Sequence, residues 1–274
     1  MESNEIRFLE EKSKHIRRLI IREIGNLGVG HLGGCLSVVE ALVVLYYKHM
    51  NIDPYNPQMV GRDRFIMSKG HAGPALYAVL ADKGFFPLSE LDSLNQPETN
   101  LPSHCDMLRT KGVDMTAGSL GQGLSCAVGM AKASKTNQDK AYIYCMIGDG
   151  ESQEGQIWEA AMAAAHFKLN NLIAFTDYNK LQIDGTVEEV MGVAPLEKKW
   201  EAFGWNVLEV QDGHSVKQIF DAISRAKTSR NKPTMIILNT VKGKGVSFVE
   251  SLGVKNHNTS ISKEQMCMAL EELN

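Results

Sequence analysis

The 274-residue sequence contains no C-x-x-C pair, no internal repeat, no low-complexity tract and no obvious interdomain linker. Its five cysteines, Cys35, Cys105, Cys126, Cys145 and Cys267, are scattered and odd in number. That pattern argues against a disulfide framework and, with no signal-peptide pattern, leads to the expectation of reduced thiols in a cytoplasmic protein. The most apolar stretch, residues 36–47, is too short to span a bilayer and carries Glu40. Net charge is nearly absent: 29 Lys and Arg against 32 Asp and Glu leave −3, which gives no reason to expect nucleic acid or a membrane as partner. No G-x-G-x-x-G follows the first predicted strand, which disfavours a dinucleotide-binding protein. What is present is an ordinary globular composition, 43% hydrophobic and 22% charged, enough for a sizeable core.

Residues 141–183 organise the rest. An apolar run, 142–147, stops at Gly148-Asp149-Gly150, and Ile157, Ala161, Ala164, Ala165 and Phe167 follow at helical spacing. A second apolar run, 172–176, stops at Asp177-Tyr178-Asn179. The pattern predicts a βαβ unit with both polar clusters at strand ends, neighbours in space if the strands are parallel and adjacent. Asp149 offers a carboxylate oxygen and Asn179 an amide oxygen. The glycines, Gly150 among them, let backbone N–H groups approach a phosphate beside a helix N-terminus. Magnesium takes few protein ligands and completes its octahedron with phosphate oxygens and water, so a diphosphate held through Mg²⁺ is the predicted occupant. A bare G-D-G, taken alone, is also a common turn.

G-D-G followed by this asparagine resembles the thiamine-diphosphate fingerprint, and the flanking blocks resemble, in order, the N-terminal cofactor-binding half of transketolase. The resemblance implies an α/β fold, a three-layer sandwich with a mostly parallel sheet, as a single diphosphate-side domain over residues 1–274. It implies that Asp149, Asn179 and the backbone carbonyl of Leu181 hold the metal, and that Ile183 packs on the thiazolium. His31, on the glycine-rich turn 25–34, reads alone as a loop histidine; transketolases carry a similar G-H-x-G loop, which implies an active-site role. Residues 64–72, R-F-I-M-S-K-G-H-A, match a family block and place His71 against the diphosphate, with a capping or core histidine as the alternative. Ser103-His104-Cys105 stands where the family has G-H-P. The loop 116–125 is similar to T-G-x-L-G-Q-G and implies that Gly118 and Leu120 line the cofactor, although small residues also serve tight packing. Glu154 and Glu159 match glutamates at the family's subunit interface, with Glu154 also counted among the cofactor-binding residues; alone it would favour a helix N-terminus. His257, within Asn256-His257-Asn258, takes the place of a histidine near the diphosphate. Residues 241–248 match a further block, and His166 and His214 read as structural.

Helices are predicted over 4–25, 36–50, 74–83, 124–134, 195–203, 216–228 and 263–273, and over 88–95 with Ser89 and Asp92 as a capping box. Strands are predicted at 65–67, 206–210 and 234–240. The activity implied by the resemblance is transfer of a two-carbon ketol unit from a ketose to an aldose, with thiamine diphosphate carrying the carbanion chemistry and His31, His104 and His257 shuttling protons. The pyrimidine-side glutamate of such enzymes has no counterpart here, so the expectation is a separate C-terminal subunit, most simply in an α₂β₂ assembly, or else one longer polypeptide. The rivals are another thiamine-diphosphate enzyme half, such as a deoxyxylulose-phosphate-synthase-like one, and a non-catalytic cofactor-holding subunit. Phosphorylated, sulfonated and other modified sugars all remain open as substrates.

Overall fold

In the computed structural model, which describes residues 1–274, the first amphipathic segment forms α1 (Ser3–Leu27). It buries Leu9, Ile16, Leu19, Ile20 and Ile24 and stops at Gly28, whose φ of 87° is the left-handed conformation that suits glycine. The next run is not the single helix over 36–50 that its periodicity predicts. It starts earlier as α2 (Leu32–Leu36), breaks at Ser37 and Val38, resumes as α3 (Val39–Val44) and ends in a π-helical turn, Leu45–His49. At the break the Ser37 hydroxyl lies 3.3 Å from Gly34 O, the local side-chain-to-backbone pairing that competes with continued helix, and 2.7 Å from Asp177 Oδ2, to which it donates.

Five strands, β2 (Arg64–Met67), β3 (Ile143–Gly148), β4 (Leu172–Tyr178), β5 (Asn206–Val210) and β6 (Thr234–Asn239), form one sheet in the order β2-β3-β4-β6-β5. Every neighbouring pair is parallel. A small antiparallel ribbon pairs β1 (Val29–Gly30) with β7 (Thr259–Ser260). Tyr144, Met146, Ile173, Phe175, Ile236 and Leu238 point into one core, shared with α1, α2, α3, α4 (Gly73–Asp82), α9 (Val216–Ala226), α10 (Ser247–Ser251) and α11 (Lys263–Glu272). Ile143, Cys145, Ile147, Leu172, Ala174, Met235 and Ile237 point into the other, shared with α5 (Gln122–Asn137), α6 (Gly155–His166), α7 (Val187–Met191) and α8 (Leu196–Ala202). The inner strands β3, β4 and β6, covered on both faces, are buried almost throughout, which is why they read as continuous apolar runs. The expected three-layer α/β sandwich is present.

Residues 88–95 depart from prediction. They form a 3₁₀ turn, Leu88–Ser93, behind Pro87, with no side-chain cap. Asp92 does not complete a box with Ser89, because its carboxylate accepts from Arg22 at 2.6 and 3.1 Å and from Asn26 at 2.8 Å, both on α1.

Edge strand β2 would leave open backbone donors. Asp114 covers one: its Oδ2 accepts from Phe65 N at 2.8 Å, and its Oδ1 accepts from Arg62 Nη2 at 2.5 Å. Asp114→Ala leaves a buried N–H without an acceptor and Arg62 without its counter-charge, so it should cost about 3 kcal/mol in urea unfolding. A loss below about 1 kcal/mol would mean that solvent replaces the carboxylate.

Candidate active site

The carboxyl ends of the strands open into a cavity of about 370 Å³. Gly148 and Asp177 are in register across β3 and β4, which brings the two polar clusters together. Asp149 Oδ2 accepts from Lys180 N at 2.5 Å and its Oδ1 from Gly150 N at 2.7 Å. A 3₁₀ turn, Gly150–Gln153, intervenes before α6, so the helix N-terminus predicted directly behind Gly150 stands further on, at Gly155. The turn forms because Glu151 folds inward, accepting from Gly148 N at 3.0 Å, Gly121 N at 2.9 Å and the Ser68 hydroxyl.

Every residue singled out in the sequence as catalytic, cofactor-binding or metal-holding lines this one cavity: His31, His71, His104, Gly118, Leu120, Asp149, Gly150, Glu154, Asn179, Leu181, Ile183 and His257. His31 lies between β1 and α2, His71 in a 3₁₀ turn (Gly70–Ala72) after β2, His104 in the long loop before α5, and His257 after the turn Gly253–Asn256. Ring centroids of His31 stand 5.4 Å from His71, 5.6 Å from His104 and 5.4 Å from His257, and His71 is 4.9 Å from His257. Two glycines make this convergence possible. A Cβ at Gly70 would sit 2.6 Å from Ala117 O, and one at Gly123 would sit 2.7 Å from Ser68 Cα, so backbone meets backbone. Leu120 (37% exposed) and Ile183 (67% exposed) stand at the mouth, and Glu154 is exposed beside them. His166 is exposed at the end of α6, and His214 lies outside the lining.

Several residues that motif reading passed over hold the site. Asp177 is fully buried; its Oδ2 accepts from Lys69 Nζ at 2.6 Å, Ser37 Oγ at 2.7 Å and Asn179 Nδ2 at 2.9 Å, and its Oδ1 from Thr240 Oγ1 at 2.5 Å. Burial alone would raise its pKa, but Lys69 and the hydroxyls outweigh that and lower it. Lys242 Nζ donates to Leu181 O at 3.1 Å and lies 3.0 Å from His257 Nδ1. Burial, then Lys69, brings its pKa down to about 8. Lys69 and Lys242 lie inside blocks already read as matches, so their charge beside polar strand ends was the available signal.

Burial drives all four imidazoles towards neutrality. His31 falls to about 4 and His257 to about 3, with neighbouring cations adding to the effect, His71 falls well below the ordinary value, and His104 is lowered. Neutral imidazoles accept and donate protons without bringing charge of their own. Asp149 is the opposite case: burial, then the nearby Asp177 charge, push it up to about 7. Its neighbours Asn179 Oδ1, which accepts from Leu181 N at 3.1 Å, and the Leu181 carbonyl complete a set of hard oxygens. No group of three or more His, Cys, Asp or Glu side chains suited to a metal occurs. One carboxylate, one amide and one carbonyl suit a hard cation that takes its other ligands from phosphate and water.

The family described as "Transketolase, thiamine diphosphate binding domain" matches residues 10–272. The chain is 56% identical over 265 residues to a 6-deoxy-6-sulfo-D-fructose transketolase subunit of Clostridium sp. (strain MSTE9), covering 97% of this chain and 96% of the relative. It is 40% identical to an apulose-4-phosphate transketolase subunit of Actinobacillus succinogenes, covering 97% of this chain and 95% of that one. Among solved structures, transketolase from Campylobacter jejuni superposes with a TM-score of 0.91 at 34% identity, over 98% of this chain but 43% of that one.

Lys69→Met should leave the Asp177 carboxylate buried without a counter-charge and cost about 3–5 kcal/mol in chemical denaturation. Adding Asp177→Leu should recover part of that loss; a fully additive double variant would show that the pair is not coupled.

Proposed function

The chain belongs to the transketolase family, and from that premise we propose that it is the diphosphate-side subunit of a transketolase completed by a second chain. The reading is carried by the convergence, in one cavity, of every residue that the resemblance marks as catalytic, cofactor-binding or metal-holding. Asp149, Asn179 and the Leu181 carbonyl would hold Mg²⁺. Gly150, His71 and Lys242 would face the diphosphate, and Gly118, Leu120 and Ile183 would shape the apolar contact around the rings, with Glu154 at the rim. Bound thiamine diphosphate supplies the nucleophilic carbon and electron sink for ketol transfer. His31, His104 and His257, held neutral, would move protons at the hydroxyl and carbonyl oxygens of the sugar.

Two observations support a half-site. Relatives named as subunits match over nearly their whole length, whereas a full-length transketolase matches over 43%. Apolar side chains, Leu120, Ile183, Val190 and Met191, lie exposed around the mouth or close beside it, a surface that a pyrimidine-side partner would cover. That partner would bring the glutamate this chain lacks, in an α₂β₂ assembly with an interface of about 2,000 Å² or more. The whole is read as a cytoplasmic domain spanning residues 1–274. The 56% relative directs the choice of donor: a ketose with a C6 sulfonate in place of phosphate.

The isolated chain should transfer no ketol unit, with activity appearing once the partner is added; robust turnover alone would defeat the half-enzyme reading. In the complex, 6-deoxy-6-sulfofructose should exceed fructose 6-phosphate in kcat/KM by about tenfold or more, which is about 1.4 kcal/mol in the transition state. Activity confined to pyruvate would instead indicate a synthase.

With its pKa raised to about 7, the cation-free Asp149 carboxyl keeps a proton that a divalent cation must displace. Mg²⁺ affinity, measured by calorimetry with thiamine diphosphate present, should therefore rise about tenfold per pH unit up to about pH 7 and level off above it. Asp149→Ala should weaken binding by about 100-fold or more while the circular dichroism spectrum is retained. Cofactor binding at full strength in EDTA would remove the metal assignment.

A further inference from the structure

Lys242 enters the cavity from residues 241–245, just beyond β6, and only 4% of it is exposed. The segment contains Gly243 and Gly245 at φ of 90° and 88°, so its backbone has little intrinsic preference to hold one course. Two ties come from nearby: Asn256 Nδ2 donates to Lys242 O at 3.0 Å, and Gly243 N donates to Gly33 O at 3.0 Å. Others come from side chains outside the cavity lining, among them Glu250, whose Oε1 accepts from Gly245 N at 2.8 Å. Val241 N–H donates to His214 Nε2 at 2.8 Å, and Arg17 Nε donates to Lys244 O at 2.8 Å.

The His214 and Arg17 ties meet at one carboxylate. Glu40, on α3, accepts from Arg17 Nη1 and Nη2 at 2.5 and 2.9 Å and stands 3.0 Å from His214 Nδ1. Because His214 Nε2 accepts a backbone N–H, the proton of the neutral ring belongs on Nδ1, where it donates to Glu40. Both ring nitrogens are thereby used, and the three side chains are nearly buried, with 6–10% exposed. The local duty of the turn does not need the ring. Ser215 Oγ caps α9 by accepting from Gln218 N, and Asp212 accepts from His214 N.

We propose that His214 is a positioning residue for the cofactor site: oriented by the Arg17–Glu40 pair, it grips Val241 and so fixes where the Lys242 ammonium stands. This rests on the cofactor reading of the cavity. His214 touches nothing in the cavity directly; its influence passes through one backbone hydrogen bond to the residue before Lys242.

The test is a double-mutant cycle read by calorimetry. Thiamine diphosphate with Mg²⁺ is titrated into the wild type, His214→Leu, His214→Gln, Lys242→Met and His214→Leu/Lys242→Met, at a temperature where each is folded by circular dichroism. His214→Leu should weaken binding about 10-fold or more, and His214→Gln, which keeps an acceptor for Val241 N–H, should stay within about threefold of wild type. In the Lys242→Met background, His214→Leu should change affinity less than about threefold, since its effect passes through that lysine. Equal losses in both backgrounds, or an unchanged His214→Leu affinity, would overturn the inference while leaving the cofactor reading intact. A wild type that takes up no thiamine diphosphate would overturn both. Should His214→Leu fail to fold, ¹⁵N NMR of the wild-type histidines decides: His214 protonated on Nδ1 and bare on Nε2 is the expected state, and the reverse tautomer overturns the proposal.

Discussion

Asp177 is a charge taken wholly out of water, which is tolerable only when its oxygens are matched by donors and its charge by a cation. The match comes from Lys69 in the loop after β2, Ser37 at the end of α2, Asn179 just past β4 and Thr240 just past β6. Four segments far apart in the chain are therefore drawn to one point at the carboxyl edge of the sheet. The same cluster holds Ser37 at the break in the helix that begins at Leu32 and fixes the Asn179 amide beside Asp149. Loops that the sheet alone would leave free become walls.

The electrostatic character of the cavity follows from that anchor. Lys69 is spent on Asp177, and Glu151 on Ser68 and two backbone amides. The buried charges left to face a ligand are the ammonium of Lys242 and the carboxyl of Asp149. The first favours an anion and the second, held up at about 7, favours a cation. Packed imidazoles between them carry no charge at neutral pH. A diphosphate bridged by a divalent metal meets both demands at once, whereas either ion alone would leave one unmet. The arrangement agrees with the membership of the transketolase cofactor-binding domain that residues 10–272 establish.

The open mouth gives the site its other property. Ile183 is largely exposed and Leu120 partly so, beside a polar cavity. The Campylobacter jejuni transketolase carries more chain beyond the matching region, whereas the relatives named as subunits are matched almost end to end. The fold accommodates both arrangements because the cavity lies at a sheet edge rather than inside the core.

Local pattern was enough for the elements whose stability is local. Strands buried on both faces must be apolar runs, so β3 and β4 are read from the runs 142–147 and 172–176, and helices with one buried stripe are read from spacing. The histidines and the Asp149–Asn179 pair were legible too, because short motifs at strand ends keep their order along the chain. What pattern could not supply were the consequences of contacts between distant residues. The place of Ser37 at the break after Leu36 is fixed by a bond to a carboxylate 140 residues away, and the fate of Asp92 by a salt bridge to Arg22. Lys69, Asp177 and the Arg17–Glu40–His214 network likewise look like ordinary surface polarity until folding buries them. A charge acquires its role from what desolvates it and what it then meets, and neither is written in the residues beside it.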